Sequence, residues 1–222
     1  MGRPKLLDRE HVVYTALCQY WQHGVDKVGM ADIARLSGFD RAGIYKEFGG
    51  EPGLVNEAMT CYMEAYVEPR LPILAACSSP VMTMKLLIDA FIFDNVIKNL
   101  EPYGIQDKTL SWPKPLAKAR GCAWYGVLIS ETSTNFTGKT KRQMKQIDDA
   151  NRGWFVELLT KAEKENYLKS GLSVEEATDF CCDQMMLLQL MRRQGVKKDR
   201  MNRARDMILR TVFEESASAV LH

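Results

Sequence analysis

The spacing of apolar residues is the feature that most constrains the fold of this chain. Apolar residues recur three and four positions apart along nearly the whole sequence, and alternation of apolar and polar residues is never sustained. The first pattern places apolar side chains on one face of a helix, whereas a half-buried strand needs the second. We therefore predict an all-helical fold.

The helices predicted in the first 50 residues are short. Asp8 suits the start of a helix that ends at Gly24, because aspartate accepts hydrogen bonds from first-turn amides and glycine tolerates the backbone that closes a helix. Two further short helices are predicted over about 30–37 and 41–48. The glycine pair at 49–50 then ends this segment.

Longer helices are predicted beyond residue 50. Ser173 and Glu176 form a capping box at the start of one of them. The change in helix length is the basis for two predicted domains, a small helical head over 1–50 and a larger helical domain over 51–222. The longer helices are predicted over 52–67, 81–100, 116–133, 139–168, 174–194 and 199–220, with an irregular proline-rich loop over 101–115.

Composition and charge exclude several classes of protein. With 46% hydrophobic and 26% charged residues, the 222-residue chain is typical of a folded globular protein. No apolar run approaches the roughly 20 residues of a membrane-spanning helix, and the N-terminus lacks the apolar core of a secretory signal. We therefore expect a cytoplasmic protein with no membrane partner. The net charge of +2 is too small to bind nucleic acid through bulk charge, so any contact with DNA must be local.

Motifs for catalysis, cofactors or metals are absent from the sequence. It contains no G-x-S-x-G, no phosphate-binding loop and no G-x-G-x-x-G. The three histidines lie too far apart to form a spaced set of metal ligands. We therefore expect no enzymatic activity, no cofactor and no metal site.

The two short helices at 30–37 and 41–48 carry the spacing of a helix-turn-helix. Ala34 lies four residues before Gly38, and Ile44 lies six residues after it. A small residue lets the two helices cross closely, a glycine allows the turn, and an apolar residue returns the second helix to the core. The same pattern, taken alone, also fits an ordinary packed corner between two helices.

Helical periodicity separates the two faces of this corner. Ile33 and Leu36 are predicted to face the core from the first helix, and Ile44 and Phe48 from the second. Asp40 and the remaining residues of the second helix are left for the exposed face. The candidate DNA-binding residues on that face are Arg41, Ala42, Gly43, Tyr45 and Lys46.

Residues 24–54 resemble the TetR family of bacterial transcriptional regulators. The resemblance rests on the sequence GVDKVGMADIARLSGFDRAGIYKEFGGEPGL, and the segments RGCAWYGVLISET and MRRQG farther along the chain are compatible with it. It implies a homodimer whose N-terminal domains bind a double-stranded DNA operator. It also implies a larger helical domain that dimerises and binds a small-molecule inducer. The expected activity is repression of transcription, with release of the repressor from its operator by the inducer.

Two carboxylates depart from the pattern of the TetR family. Glu47 stands where the family commonly has a group that donates to phosphate, and Glu51 stands where it usually has lysine. Each carboxylate would oppose a polyanion, at a cost of about 0.3–1 kcal/mol, the scale of exposed charge pairs. An alternative function is therefore a helical ligand-binding or scaffold protein that has lost its affinity for DNA.

Candidate ligand and dimer residues come from the aromatic and methionine-rich stretches of the longer helices. Most such residues fill cores, but planar rings and flexible methionines also form adaptable apolar pockets. The predicted ligand-binding residues, for a partly apolar inducer, are Met59, Tyr62, Met63, Tyr66, Phe91, Trp112, Trp124 and Tyr125. The resemblance implies a dimer interface on the helices over 139–168 and 174–194, with Trp154, Leu158, Phe180, Leu187 and Leu188 as the candidate residues.

Overall fold

A computed structural model describes residues 7–92, 97–114, 116 and 119–218. Over these residues the chain forms α-helices and short helical turns with no β-strand, which confirms the predicted all-helical fold. In this part of the chain no helix is long and apolar enough to cross a bilayer. The α-helices are α1 (Arg9–His23), α2 (Met30–Ser37), α3 (Arg41–Phe48), α4 (Glu51–Tyr62), α5 (Leu71–Ala75), α6 (Pro80–Ile92), α7 (Ala123–Leu128), α8 (Glu131–Thr134), α9 (Gly138–Lys164), α10 (Val174–Arg193), α11 (Lys198–Val212) and α12 (Glu215–Ser218).

Helix ends that depend on local capping agree with the sequence-based ranges. The Asp8 carboxylate accepts a hydrogen bond from the backbone N–H of His11 at 3.0 Å and starts α1. At the start of α10, Ser173 Oγ accepts from the Glu176 N–H at 3.2 Å, and Glu176 Oε2 accepts from the Ser173 N–H at 2.9 Å. The predicted capping box is thus confirmed, because both of its hydrogen bonds join residues three apart.

The helix predicted over 81–100 is too long. α6 ends at Ile92, and residues 97–100 are not helical, while residues 93–96 lie outside the described part of the chain. Asn99 Oδ1 accepts from the backbone N–H of Glu101 at 3.1 Å. This local hydrogen bond competes with helical pairing, and Pro102 has no backbone N–H to donate to the carbonyl oxygen of Lys98 four residues earlier.

The helix predicted over 116–133 is two short helices. α7 ends at Leu128, and Ser130 begins α8 by accepting from the backbone N–H of Ser133 at 3.3 Å. Residues 119–122 are not helical. The apolar spacing of this segment was correctly recognised, but a capping serine within it divides the helix.

The last predicted helix is also too long. α11 ends at Val212, and Phe213 is extended and fully buried, forming an antiparallel bridge with Leu168. The Lys169 N–H donates to the Val212 carbonyl oxygen at 2.9 Å. Burial of the Phe213 ring and this backbone pairing therefore override helical propensity, and residues 219–220 of the predicted range lie outside the described residues.

The chain packs as two compact units. The first contains residues 1–68 and 116–145, and the second contains residues 69–115 and 146–222. In the first unit α1 packs against α2 and α4, and α3 also packs against α4, so the helix that begins at Glu51 belongs to the same unit as the helices before it. The functional division at residue 50 stays a prediction.

The core of the first unit is built on α1. Fully buried Val12, Ala16 and Leu17 form the inner face of α1, which packs against α4. Each fully buried side chain of the size of leucine contributes about 1.5–3 kcal/mol relative to an exposed one. The indole N–H of Trp21 donates to the Gly121 carbonyl oxygen at 3.2 Å, which holds the segment before α7 against α1.

The core of the second unit encloses a carboxylate. α6 packs against α10 and α11, and the side chain of Asp89 on α6 is only 2% exposed. Asp89 Oδ2 accepts from Lys85 Nζ at 2.9 Å and from the Tyr103 hydroxyl at 2.6 Å, while its Oδ1 pairs with Arg205 of α11. These three donors compensate the buried charge and join α6, the turn at 101–103 and α11.

Candidate nucleic-acid interface

The corner between α2 and α3 is closed by two local hydrogen bonds. Gly38, with φ of +73°, ends α2, and its N–H donates to the Ala34 carbonyl oxygen at 3.0 Å. Asp40 begins α3, and its Oδ1 accepts from the Gly43 N–H at 2.7 Å. A left-handed glycine at the end of one helix and a capping aspartate at the start of the next thus form the predicted turn.

The buried side of the corner differs from prediction at one residue. Ile33, Ile44 and Phe48 are buried as expected, but Leu36 is exposed. The buried residues of α2 are Met30, Ile33 and Ser37, and Leu36 lies about 90° around the helix from the centre of that face. Leu36 was therefore wrongly assigned to the core.

The exposed face of α3 carries the candidate DNA-binding side chains. Arg41, Ala42, Tyr45 and Lys46 are exposed, and Gly43 is half-buried. A Cβ on Gly43 would lie 2.9 Å from Asp40 Oδ2, so the glycine allows the capping carboxylate to approach the backbone. The predicted residues share one helix, and their contact with DNA stays a prediction.

Arg9 on α1 offsets one of the two unusual carboxylates. Its Nε lies 3.4 Å from Glu47 Oε1, its Nη2 lies 2.6 Å from Glu57 Oε2, and its guanidinium carbon lies 5.4 Å from the centre of the Phe48 ring. As an exposed ion pair this contact adds at most about 1 kcal/mol of stability. Its larger effect is to place a positive charge beside Glu47.

Glu51 is half-buried at the start of α4. Burial raises the pKa of its carboxyl group, the positive charge of Arg41 lowers that pKa, and the negative charge of Asp26 raises it, with a raised pKa as the net result. A raised pKa in the folded state favours folding below the ordinary carboxyl pKa, and this contribution is lost as pH rises through the raised value. Part of the repulsion expected between Glu51 and a polyanion is offset by Arg41.

Asp26 joins the helix-turn-helix to a distant part of the first unit. Its carboxylate accepts from the backbone N–H groups of Glu131 at 3.2 Å and Thr132 at 2.9 Å, and from the Thr132 hydroxyl. Asn56 of α4 similarly donates to Gln143 Oε1 at 3.0 Å. Sequence reasoning missed Asp26 and Arg9, because their partners are recognised only after the chain has folded.

The predicted ligand-binding residues fall in both units. Tyr62 and Tyr66 stack with their ring centres 5.9 Å apart, and both rings meet the edge of Trp21, at 5.0 Å and 4.8 Å. The Tyr62 hydroxyl donates to Cys122 Sγ at 3.2 Å. In the first unit four of the predicted residues are buried, namely Met59, Tyr62, Trp124 and Tyr125, and two are half-buried, Met63 and Tyr66. In the second unit Phe91 is buried and Trp112 is half-buried. Ligand binding by these residues stays a prediction.

The predicted dimer residues differ in exposure. Leu187 on α10 is 47% exposed, whereas its neighbour Leu188 is 1% exposed. Leu188 therefore packs inside its own chain, because adjacent helical residues point about 100° apart. The predicted role of Leu188 in the interface is wrong, and the residue belongs to the core. Trp154 and Phe180 are half-buried, and Leu158 is buried. The large exposed apolar residues nearby are Leu190 on α10, Val156 on α9 and Met207 on α11.

An N-terminal segment of the chain matches a known protein family. Residues 14–58 match the family described as bacterial regulatory proteins, tetR family. The chain is thus similar to the TetR family over these 45 residues. The match confirms the resemblance identified from residues 24–54, and it includes α2, α3 and the start of α4.

A curated relative of the chain is a transcriptional repressor. The HTH-type transcriptional repressor ComR of Escherichia coli (strain K12) is 31% identical over 65 residues, which are 29% of this chain and 31% of ComR. The chain thus matches about a third of the length of this curated relative. The matching family and this relative are both described as regulators, in agreement with the expectation of a regulatory and not an enzymatic role.

Solved structures extend the likeness of fold to nearly the whole chain. A TetR family regulator from Agrobacterium tumefaciens is similar with a TM-score of 0.69 and 12% identity, covering 92% of this chain and 97% of that one. A cysteine mutant of the TetR family regulator CifR, complexed with 26-bp operator DNA, has a TM-score of 0.64 and 17% identity, covering 95% and 100%. FadR of Bacillus subtilis, in complex with stearoyl-CoA, has a TM-score of 0.59 and 11% identity, covering 91% and 98%. The TetR-type fold, a helix-turn-helix head followed by a larger helical region, is therefore confirmed.

Proposed function

We propose that the chain is a ligand-responsive transcriptional repressor of the TetR type, which binds double-stranded operator DNA as a homodimer and is released by a small molecule. The observation that carries the proposal is α3, a capped helix with Arg41, Ala42, Tyr45 and Lys46 on its exposed side and Ile44 and Phe48 buried beneath. An exposed second helix of a helix-turn-helix fits the major groove of B-DNA. Support also comes from the similarity to a repressor, ComR, and to CifR bound to operator DNA.

The residues of α3 divide into two kinds of DNA contact in this proposal. Arg41 lies in the first turn, where its guanidinium can pair with both major-groove acceptors of guanine, and Ala42 leaves room for close approach. Tyr45 and Lys46 contact phosphates through a hydroxyl and an ammonium group. Tyr45 leans over the start of α4, because a Cβ added at Gly50 would lie 3.3 Å from its hydroxyl oxygen.

Substitution of Arg41 and Lys46 tests this division. Arg41→Ala is expected to lower the preference for a selected DNA site over scrambled DNA by about 1–3 kcal/mol, because the bidentate base contact is lost. Lys46→Ala should weaken binding to all sequences alike and reduce the salt dependence by about one counterion. Both are measured by salt-titrated binding of the full chain to a site selected from a random duplex library.

The control for these variants is Lys164→Ala, which removes an exposed lysine at the end of α9. It should leave DNA affinity and its salt dependence unchanged. An Arg41→Ala variant with unaltered discrimination, or a Lys46→Ala variant with full affinity and salt dependence, would contradict the assigned roles. Wild-type protein that binds no duplex even at low salt would instead favour the alternative, a helical ligand-binding or scaffold protein without DNA affinity. The positive charge of Arg9 beside Glu47 argues against that alternative.

A ligand can influence α3 through the aromatic contacts of α4 in this proposal. Tyr62 and Tyr66, at the end of α4 and in the π-helical turn Met63–Val67, both contact Trp21 of α1, and Tyr62 contacts Cys122. A ligand that favours one tilt of α4 would move α1 and α3 with it. The spacing of the two recognition helices in the dimer, about 34 Å for half-sites one turn apart, would then no longer match the operator.

The proposed dimer interface centres on the exposed face of α10. Leu187 and Leu190 are three residues apart and therefore lie on one side of the helix, and both are exposed in the single chain. A two-fold interface buries the same patch of both copies, so α10 packs against its symmetry-related copy in this proposal. Trp154 and Phe180 remain candidate interface residues at the margins.

Leu187→Glu is expected to give a folded monomer, because it places a charge in the interface but none in the core of the chain. Leu188→Glu should instead lower stability by several kcal/mol, since it buries an unpaired charge. Sedimentation and thermal unfolding distinguish the two effects, with Leu71→Glu on the exposed side of α5 as a control that should remain dimeric. Wild-type protein that is monomeric at micromolar concentration would contradict the interface.

A further inference from the structure

Arg70 is a buried cation in the second unit. It ends the turn Glu68–Arg70 just before α5, and only 7% of its surface is exposed. Its Nε and Nη2 atoms are buried, and within the described residues neither has a hydrogen-bond partner. Within these residues no carboxylate forms an ion pair with Arg70 either. A guanidinium that is removed from water without an anion is strongly unfavourable, so this arrangement calls for a partner.

Trp112 shares this environment. The guanidinium carbon of Arg70 lies 5.6 Å from the centre of the Trp112 ring, and the indole Nε1 is buried and also without a partner among the described residues. Contact with the ring face is attractive for a guanidinium but leaves its N–H groups free to donate. Two neighbouring side chains thus present three buried donor nitrogen atoms with no acceptor among the described residues.

Apolar side chains adjoin these donors. Ile73 and Leu74 follow Arg70 in the chain and are part of a buried cluster against which Trp112 and Trp154 pack. The other buried members of the cluster are Cys77, Met82, Leu86, Tyr103 and Ile105. The surroundings of the donors therefore suit an apolar body better than a hydrated ion.

We propose that Arg70 and Trp112 bind the carboxylate of an organic acid whose apolar body contacts this cluster. Nε and Nη2 form the side edge of a guanidinium, and their two parallel N–H bonds match the two oxygens of a carboxylate. The indole N–H of Trp112 supplies a further donor. This inference rests on the proposed function, since the organic acid would be the small molecule to which the regulator responds.

Calorimetric titration of the full chain with octanoate, in the absence of DNA, tests the site. Octanoate is expected to bind, whereas 1-octanol should bind at least tenfold more weakly because it lacks the paired oxygens. Arg70→Met should weaken octanoate binding at least tenfold. Arg70→Lys keeps the positive charge but loses the pair of parallel N–H donors. It should therefore also weaken octanoate binding about tenfold. Arg203→Met, a matched change at an exposed arginine of α11, should have no effect.

Thermal unfolding separates a ligand site from a structural cation. Octanoate should raise the Tm of the wild type and of Arg203→Met but not that of Arg70→Met. Without ligand, Arg70→Met should unfold at the same or a higher temperature, because an unpaired buried charge has been removed. A lower Tm together with unchanged octanoate affinity would show that Arg70 only supports the fold, and would overturn the proposal.

Trp112→Phe keeps an aromatic ring but removes the N–H donor together with the five-membered part of the indole, so it tests the site even if Arg70→Met does not fold. It should weaken octanoate binding about threefold, and unchanged affinity would overturn the role of the indole. Tighter binding of octyl phosphate than of octanoate, or displacement of octanoate by inorganic phosphate, would overturn the carboxylate assignment. Equal binding of octanoate and 1-octanol would overturn the whole site.

Failure of the site and failure of the proposed function give different results. Octanoate binding that depends on Arg70, in a protein that does not bind DNA, would retain the site and reject the regulator. DNA binding that follows the α3 predictions, with no affinity for octanoate, would retain the regulator and reject the site.

Discussion

Gly53→Ala is expected to lower the free energy of unfolding by about 3 kcal/mol and to abolish DNA binding. A Cβ at this position would overlap the carbonyl oxygen of Phe48. That oxygen belongs to the backbone at the end of α3, so it cannot rotate away as a side chain can. The first turn of α4 and the end of α3 must therefore separate, which moves the exposed face of α3.

Urea unfolding and duplex binding of the full chain measure this effect. Gly153→Ala is the matched control, because among the described residues no atom beyond its chain neighbours and the backbone of its own helix lies within 4 Å of the position of a Cβ there, in the interior of α9. It should raise stability by roughly 0.5–1 kcal/mol through helix propensity alone. Wild-type stability and DNA affinity in Gly53→Ala would contradict the close approach of α3 and α4.

Asp89→Asn is expected to lower the free energy of unfolding by about 3–5 kcal/mol. The substitution nearly preserves the shape of the side chain but removes the negative charge that faces Lys85 and Arg205. Lys85 would then lose its carboxylate partner, and Arg205 would keep only its pair with Asp206. The decrease in the free energy of unfolding should appear when the full chain is unfolded with a chemical denaturant.

Two further variants test whether the effect of Asp89→Asn comes from the loss of its buried ion pairs. Asp179→Asn removes an exposed partner of Arg152 and should change stability by less than about 1 kcal/mol. Asp89→Leu combined with Arg205→Met removes both members of one pair and should be less harmful than Asp89→Leu alone. Equal stability of wild type and Asp89→Asn would show that the carboxylate does not hold α6 to α11.

The same carboxylate affects Tyr103. Two causes raise the pKa of the Tyr103 phenol above its ordinary value. Burial is the larger, and donation of the hydroxyl to Asp89 is the next. Because the pKa is raised in the folded state, this contribution to stability is complete below the ordinary phenol pKa. It is lost as pH rises through the raised value, so it operates in full at neutral pH.

The amino-acid sequence by itself determined the features that depend on residues within about four positions of each other. The spacing of apolar residues identified the all-helical fold, and Asp8, Asp40 and Ser173 begin helices where their capping chemistry requires it. The turn at Gly38 and the exposed side of α3 follow from the same short-range rules. Such signals are readable because a helical turn brings i, i+3 and i+4 together wherever it forms.

The tertiary structure alone decided which distant groups meet and which apolar residues are covered. Asp26 contacts Thr132 across 106 positions, and no local pattern marks either residue as a partner of the other. Leu187 and Leu188 have the same chemistry, but the packing of the second unit exposes one and buries the other. Phe213 leaves the helical conformation for its buried site, and Arg70 is buried with no anionic partner among the residues that the structure describes. These outcomes depend on the summed packing of the whole chain, which outweighs local preference and is absent until the chain has folded.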